Sequence, residues 1–217
     1  MRDIMSLSKV LITGSSSGLG NHLALYFSEK GHEILLHGRN ENNLIRIKNE
    51  INKNGSNAEY IVADLSNNEE LELLCNKAKK SNIKMLINNA GIICPGLPLK
   101  ELSYEDIESM IKVNLIAPIK IISNLNNILD HVININSMVG LEPKKNRSLY
   151  TASKWGLRGF SESLKQEDIS YKILDVYPTN IKTWPERENA MELNFVLNSI
   201  YDAMLGGKKE LILDGRK

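Results

Sequence analysis

The sequence lacks the residues that would mark a disulfide-stapled or metal-held protein. Only 2 of its 217 residues are cysteine, Cys75 and Cys94, too few for a disulfide framework or a zinc site. Each is expected to be a small buried apolar residue. Charge of one sign is also missing: 27 Lys and Arg stand against 26 Asp and Glu, a formal net charge of +1. No overall field would draw the chain to nucleic acid or to an anionic membrane. No segment approaches the roughly 18 consecutive apolar residues of a membrane span. The start, Met1 to Lys9, contains Arg2, Asp3 and Lys9 and no apolar stretch of signal-peptide length. The expectation is a cytoplasmic protein without nucleic-acid or membrane partners.

What is present is ordinary globular composition, 42% hydrophobic and 24% charged, in a chain long enough to bury a continuous core. Asparagine is frequent, with pairs at Asn42-Asn43, Asn67-Asn68 and Asn126-Asn127. These read as a habit of composition, not as low-complexity sequence. The basic pairs Lys144-Lys145 and Lys208-Lys209 read as solvated loops.

Short apolar runs alternate with helical periodicity along the whole chain. Val10-Leu11-Ile12, Ile34-Leu35-Leu36, Tyr60-Ile61-Val62, Met85-Leu86-Ile87, Val132 to Ile135, Ile173 to Tyr177 and Leu211-Ile212-Leu213 predict strands. Between them lie helical patterns over Gly18 to Lys30, from Asn40 to about Asn54, Asn68 to Lys80, from Ser103 through Leu115, Tyr150 to Lys165 and Ala190 to Leu205. Asn40 is placed to cap the second helix, Ser103 with Asp106 resembles a capping box, and Pro118 predicts a bend. Each connection is long enough for a crossover, so the sheet should be parallel, with both faces covered. The expected fold is α/β: one doubly wound domain over residues 1–217, a parallel sheet of about seven strands flanked by helices. Ligands of such sheets bind beyond the carboxyl ends of the strands.

The first strand end reads Thr13-Gly14-Ser15-Ser16-Ser17-Gly18-Leu19-Gly20. Gly14 permits a tight turn, Gly18 lets the backbone approach a phosphate, and Gly20 lets the helix pack closely. The free amides and positive end of the following helix favour a pyrophosphate. The spacing is Gly-x-x-x-Gly-x-Gly, not the usual dinucleotide fingerprint. The second strand end, His37-Gly38-Arg39-Asn40, has no carboxylate for the ribose hydroxyls of NAD. Arg39 stands instead about where a 2′-phosphate would lie. NADP(H) is therefore expected as the preferred cofactor, with NAD(H) also usable.

Tyr150 and Lys154 are four residues apart and share a helix face, and Ser137 lies just beyond the fifth strand. With these residues the chain resembles the short-chain dehydrogenase/reductase family. The resemblance runs from Thr13 to Gly215 and rests on the glycine-rich turn, Asp64-Leu65, Asn88-Asn89-Ala90-Gly91, Asn114, Ser137, Tyr150 with Lys154, and Pro178 through Thr183. It implies a Rossmann-type fold and hydride transfer between nicotinamide and a ketone, aldehyde or alcohol. It implies Tyr150 as acid/base, Ser137 as the residue orienting the carbonyl oxygen, and Lys154 as ribose ligand and modulator of Tyr150. Asn114 would hold a water of the proton relay. It further implies cofactor contacts from Gly14, Ser16, Ser17, Gly18, Leu19, Gly20, Arg39, Asp64 (toward the adenine), Leu65, Asn88, Gly91, Tyr150, Lys154, Pro178, Ile181 and Thr183. No metal is implied, and a homodimer or homotetramer is.

The chain departs from the family pattern at Thr179, where glycine is usual, and in the short segment before the last helix. That segment implies an open substrate cleft with Trp184 as its one large aromatic. Pocket residues are expected from the loops at 92–102, 138–148 and 179–189, including Pro95, Met138, Leu141, Arg147, Trp184 and Arg187. Two other readings compete. A sugar-nucleotide epimerase would share the Tyr–Lys pair but usually has a different glycine spacing and a longer carboxyl-terminal region. A non-catalytic NADP-binding redox sensor would be expected to lack the tyrosine or the lysine.

Overall fold

A computed structural model of the chain describes residues 8–93, 96–183 and 189–216. The strands are β1 (Lys9–Ile12), β2 (Glu33–Gly38), β3 (Ala58–Val62), β4 (Met85–Asn88), β5 (His131–Ile135), β6 (Lys172–Pro178) and β7 (Glu210–Leu213). The helices are α1 (Gly18–Glu29), α2 (Glu41–Lys53), α3 (Asn68–Lys80), α4 (Tyr104–Ile111), α5 (Ala117–Leu125), α6 (Ser148–Leu164) and α7 (Leu193–Leu205). The strands form one seven-stranded sheet in the order β3-β2-β1-β4-β5-β6-β7, and every pairing is parallel. This is the doubly wound architecture that the alternation predicts.

Successive residues of the inner strands feed opposite faces, the period-2 rule of extended chain. Val10, Ile12, Ile34, Leu36, Met85 and Ile87 pack against α1, α2 and α7. Leu11, Leu35 and Leu86 pack against α3, α5 and α6. Both faces are therefore apolar, and no alternation shows in the sequence. The edge strands differ: Val62 of β3 and Ile212 of β7 are exposed. Cys75 is buried on α3, where desolvation pushes its thiol up to about 11; Cys94 lies outside the described residues. No helix among those residues is long and apolar enough to cross a membrane.

The capping residues act as expected. Asn40 Oδ1 accepts from the Asn43 amide, and Ser103 and Asp106 form a reciprocal capping box. Asparagine also serves where the composition gave no hint: Asn67 caps α3, and Asn82, Asn146 and Asn189 hold left-handed conformations at φ of 51°, 58° and 51°. Asparagine tolerates that region better than other side chains with a Cβ.

Two expectations about helices need correction. The bend assigned to Pro118 is a π-helical turn over Lys112–Ile116 that joins α4 to α5, with Pro118 in the first turn of α5. Pro118 has no N–H to donate and its ring crowds the preceding turn, so the helix widens ahead of it. The last helix starts at Leu193, not at Ala190. Met191 instead forms a parallel bridge with Ile181: its amide donates to Asn180 O at 2.9 Å and its carbonyl accepts from Lys182 at 3.0 Å.

One polar chain crosses the apolar sheet. Asn88, Asn134 and Asp175 are register partners on β4, β5 and β6. Asn88 Nδ2 donates to Asn134 Oδ1 at 2.9 Å, and Asn134 Nδ2 donates to Asp175 Oδ1 at 2.9 Å. Asp175 Oδ2 accepts from Ser161 Oγ at 2.6 Å and from Lys165 Nζ at 2.6 Å. This anchors the end of α6 to the sheet. Removing one member of a buried ion pair strands the other without water. Lys165→Met should therefore lower unfolding free energy by about 3–5 kcal/mol in urea titration. Asp175→Asn combined with Lys165→Met should cost clearly less than the two single changes added together.

Candidate active site

Reversal of the winding at β1 and β4 opens a crevice at the carboxyl edge of the sheet. Two adjoining clefts of about 370 and 390 Å3 occupy it. Leu19, Asn89, Gly91 and Ile93 border both.

The first cleft is lined by the glycine-rich turn, the end of β2, and Asp64 and Leu65. Gly14 (φ +66°) and Gly18 (φ +55°) both lie in the left-handed region that disfavours a Cβ. A Cβ on Gly18 would meet nothing within 4 Å, so the turn is open to a ligand there. Gly20 acts differently: a Cβ would stand 2.3 Å from the Gly14 carbonyl and 2.4 Å from Asn89 Nδ2. It lets helix and turn close on each other and lies behind the cleft wall. Ser16, Ser17, Gly18 and Leu19 line the cleft, and Ser17 leaves the first amides of α1 without a side-chain cap. Those amides and the helix dipole suit a phosphate.

The lips of the crevice are laced together. Thr13 Oγ1 accepts from the amides of Asn89 and Ala90 at 3.0 and 3.1 Å, and Asn89 Nδ2 donates to the carbonyls of Thr13 and Gly14 at 2.9 and 3.2 Å. A residue that the sequence reading missed completes the brace. His37, buried at the end of β2, accepts from the Gly14 amide on Nδ1 at 3.2 Å and contacts Ala63 O through Nε2 at 3.0 Å. These partners require the neutral ring with its proton on Nε2. A lone histidine at a strand end carries no pattern that would have revealed this.

Arg39 and Asp64 face each other at the mouth of the first cleft, 3.7 Å apart, with the Arg39 side chain 74% exposed. Partial burial pushes the Asp64 carboxyl up, but hydrogen bonds from Ser66 and the Arg39 charge bring it below the usual range. Asp64 Oδ1 is taken by the Ser66 amide and hydroxyl at 2.8 and 2.7 Å.

The second cleft is lined by Ser137, Tyr150, Lys154, Pro178, Ile181 and Thr183 together with Met138, Lys144 and Arg147. Tyr150 and Lys154 project from α6 toward the end of β5. Lys154 is 4% exposed; its Nζ donates to Ile135 O at 2.9 Å and lies 5.8 Å from the Tyr150 ring centroid. Burial pulls its ammonium down to about 8. The Tyr150 phenol is raised by burial, against a hydrogen bond with Ser137 and the positive charge of Arg147, which lower it. The Lys154 ammonium, expected to act on Tyr150, is turned to the Ile135 carbonyl. Asn136, also missed, ties this corner together: Oδ1 accepts from the Ser137 amide at 2.9 Å, and Nδ2 donates to Lys154 O at 3.1 Å.

Three other expectations change. Asn88 does not reach the clefts; its side chain lies in the polar chain across the sheet. The Asn114 side chain is committed, accepting from the Ile92 amide at 2.7 Å and donating to Ile92 O at 2.9 Å and Ser153 Oγ at 3.2 Å. Leu141 does not line the second cleft, whereas Met138 and Arg147 do. Thr179, in place of the usual glycine, accepts from the Gly215 amide at 2.9 Å and closes β6 onto the end of the chain. Pro95, Trp184 and Arg187 lie outside the described residues.

A family model described as short chain dehydrogenase matches residues 8–192, and the chain belongs to that family. It is thus an NAD(P)-dependent oxidoreductase of the short-chain dehydrogenase class. Nodulation protein G of Rhizobium sp. (strain N33) is 34% identical over 172 residues, 76% of this chain and 69% of that protein. The NADP-dependent 3-hydroxy acid dehydrogenase YdfG of Escherichia coli O6:H1 is 31% identical over 180 residues, covering 78% of this chain and 71% of YdfG. Among solved structures, a short-chain dehydrogenase from Sphingobium yanoikuyae in complex with NADPH superposes with a TM-score of 0.87 at 25% identity, over 95% of this chain and 87% of that one.

Desolvation holds His37 at about 4 in the fold against 6.5 for a free ring, with the Ala63 hydrogen bond opposing it. The folded state thus prefers the neutral ring. The associated stability is complete above pH 6.5 and lost as pH falls toward 4, roughly 3 kcal/mol in all. Urea titrations across that window should show the decline, and NMR titration of the His37 ring should place its midpoint well below 6.

Proposed function

We propose that the chain is an NADPH-dependent carbonyl reductase, able to run in reverse as an alcohol dehydrogenase, with Tyr150 as acid/base. The observation that carries this reading is the meeting of Ser137, Tyr150 and Lys154 in one cleft that adjoins the glycine-rich turn. The two clefts together offer the extended crevice a dinucleotide needs. The open space above Gly18 and the uncapped amides of α1 suit its pyrophosphate. Asp64 and Leu65 would border the adenine, and Arg39 the 2′-phosphate, so NADP(H) is preferred and NAD(H) accepted. Gly91, Pro178, Ile181 and Thr183 would border the nicotinamide, whose hydride the cofactor supplies when bound.

In reduction the carbonyl carbon gains that hydride and its oxygen takes the Tyr150 proton, leaving an alcohol and oxidised cofactor. Ser137 holds the same oxygen by a hydrogen bond. Lys154, fixed by the Ile135 carbonyl, would bind the nicotinamide ribose, with its ammonium 5.8 Å from the Tyr150 ring centroid to favour the phenolate. Because the Asn114 side chain is engaged, the group left to hold a relay water is its backbone carbonyl. Pro118 cannot supply the N–H that a regular helix would send to that carbonyl. We take residues 1–217 as one nucleotide-binding domain, assembling as a homodimer or homotetramer; Trp155 on α6, 46% exposed, fits such a contact.

Tyr150→Phe removes one hydroxyl, so the fold and NADPH binding should persist while turnover of a carbonyl panel falls roughly 10²–10⁴-fold. Turnover within threefold of wild type would overturn the assignment. Arg39→Asp places a carboxylate against the 2′-phosphate and should erase or reverse the preference for NADPH over NADH in calorimetry. Equal affinities in wild type, untouched by the substitution, would remove Arg39 from the site.

A further inference from the structure

Behind the second cleft stands a tryptophan that the acid/base chemistry does not use. Met138 and Val139 line that cleft beside Ser137, and both are buried. They lie on a single 3-10 turn, Met138–Gly140, between β5 and α6. The turn has an inner and an outer support. On the inside, the Gly140 amide donates to Ser137 O at 2.8 Å, and the Glu142 amide donates to Met138 O at 2.8 Å. Gly140 lies directly on the Asn136 side chain, so closely that a Cβ there would stand 2.6 Å from Asn136 Oδ1. On the outside, Trp155 Nε1 donates to the Val139 carbonyl at 2.8 Å. Trp155 is carried by α6, about 1.4 turns beyond Tyr150. Its side chain does not line the cleft.

We propose that Trp155 is a positioning residue that sets the substrate wall formed by Met138 and Val139, and that this wall takes an apolar substituent of the carbonyl carbon. The proposal rests on the reductase reading and names the kind of substituent the site selects. A 3-10 turn of three residues has poor internal hydrogen bonding and does not hold its own place. Ser137, at the end of β5, fixes where the turn begins. The Trp155 bond fixes its far side, and it does so from the helix that carries Tyr150. Wall and proton donor are therefore referred to one rigid element, so their separation is set by α6 and not by a loop. An indole offers one donor and no acceptor. It grips Val139 by the backbone and brings no polar atom of its own to the substrate. An apolar substituent buried against Met138 and Val139 supplies binding that a displaced wall would forfeit. Trp155 touches none of the reacting atoms, so its effect falls on substrate affinity and selectivity, not on the transfer of hydride or proton.

The test takes the indole apart with two substitutions. Trp155→Phe keeps a six-membered ring and removes the donor. Trp155→His keeps a donor: with the five-membered rings superimposed, imidazole Nε2 falls where indole Nε1 was. The probes, reduced with NADPH, are acetophenone, whose phenyl group reaches the wall, and acetone, which is too small to need it. In Trp155→Phe the ratio of kcat/KM for acetophenone to that for acetone should fall roughly fivefold or more, through KM. In Trp155→His it should stay within about twofold of wild type. A ratio unchanged in Trp155→Phe would overturn the proposal. So would an equal fall in both variants, since ring packing and not the N–H would then be at work. A second arm removes the wall. In Met138→Ala combined with Val139→Ala, adding Trp155→Phe should move the ratio less than about twofold. A full fall without the wall would show Trp155 acting by another route, subunit assembly among them, and would also sink the idea. Dead-end complexes separate the proposal from the reductase reading, because NADP+ in place of NADPH lets a ketone bind without turnover. Acetophenone titrated into the protein–NADP+ complex should shift the Met138 methyl and Trp155 indole N–H signals together in NMR, and bind roughly fivefold more weakly in Trp155→Phe. That result with no turnover of either probe would count against the reductase reading alone. Turnover of both probes with neither signal moving would leave the reductase and remove the wall.

Discussion

The structure depends on the reversal of winding between β1 and β4. From β1 the chain winds outward through β2 and β3, then returns and winds the other way through β4, β5, β6 and β7. Connections on the two sides diverge at their common edge, so the loops after β1 and β4 cannot cover one another. A gap at that edge is a geometric necessity of the strand order. The turn after β1 and the segment after β4 become its two lips, and both clefts lie along it.

A gap alone would be floppy, and the polar groups buried around it keep it in shape. Thr13, Asn89 and His37 hold the glycine-rich turn by its own carbonyls and amides. Asn136 and Lys154 tie α6 to the end of β5. Farther down α6, Ser161 and Lys165 fasten the helix to Asp175. Tyr150 is thus carried on a helix bolted to the sheet at two heights. Each of these polar groups is costly to bury unless it is paired, so each bond fixes position as well as energy. Precise placement of reacting groups is what a hydride-transfer site requires from its protein.

The electrostatics of the site divide along the same crevice. The first cleft combines neutral donors, the His37-braced turn and one loose Arg39–Asp64 pair. The second cleft has cations and no described carboxylate among its lining residues. Burial acts on both Lys154 and Tyr150 in the direction that opposes charge, pulling Lys154 down and Tyr150 up.

The sequence by itself determined the layered α/β fold, the parallel sense of its sheet, the family, and many of the residues that line the two clefts. These are encoded locally: apolar runs with caps between them, glycines at a strand end, and Tyr150 and Lys154 on one helix face. The tertiary structure decided what depends on partners distant in the chain. It turned Asn88 into the polar chain across the sheet, because its register partner is Asn134. It gave His37 to the turn, bound the Asn114 side chain to Ile92, and directed the Lys154 ammonium to Ile135. It delayed α7, because Met191 pairs with Ile181. It also brought Lys144 and Arg147, unremarkable as a charged loop, to the mouth of the cleft that holds Tyr150. Periodicity records which face a residue occupies, but the atom it meets there is supplied by another strand, and that pairing exists only once the sheet has formed.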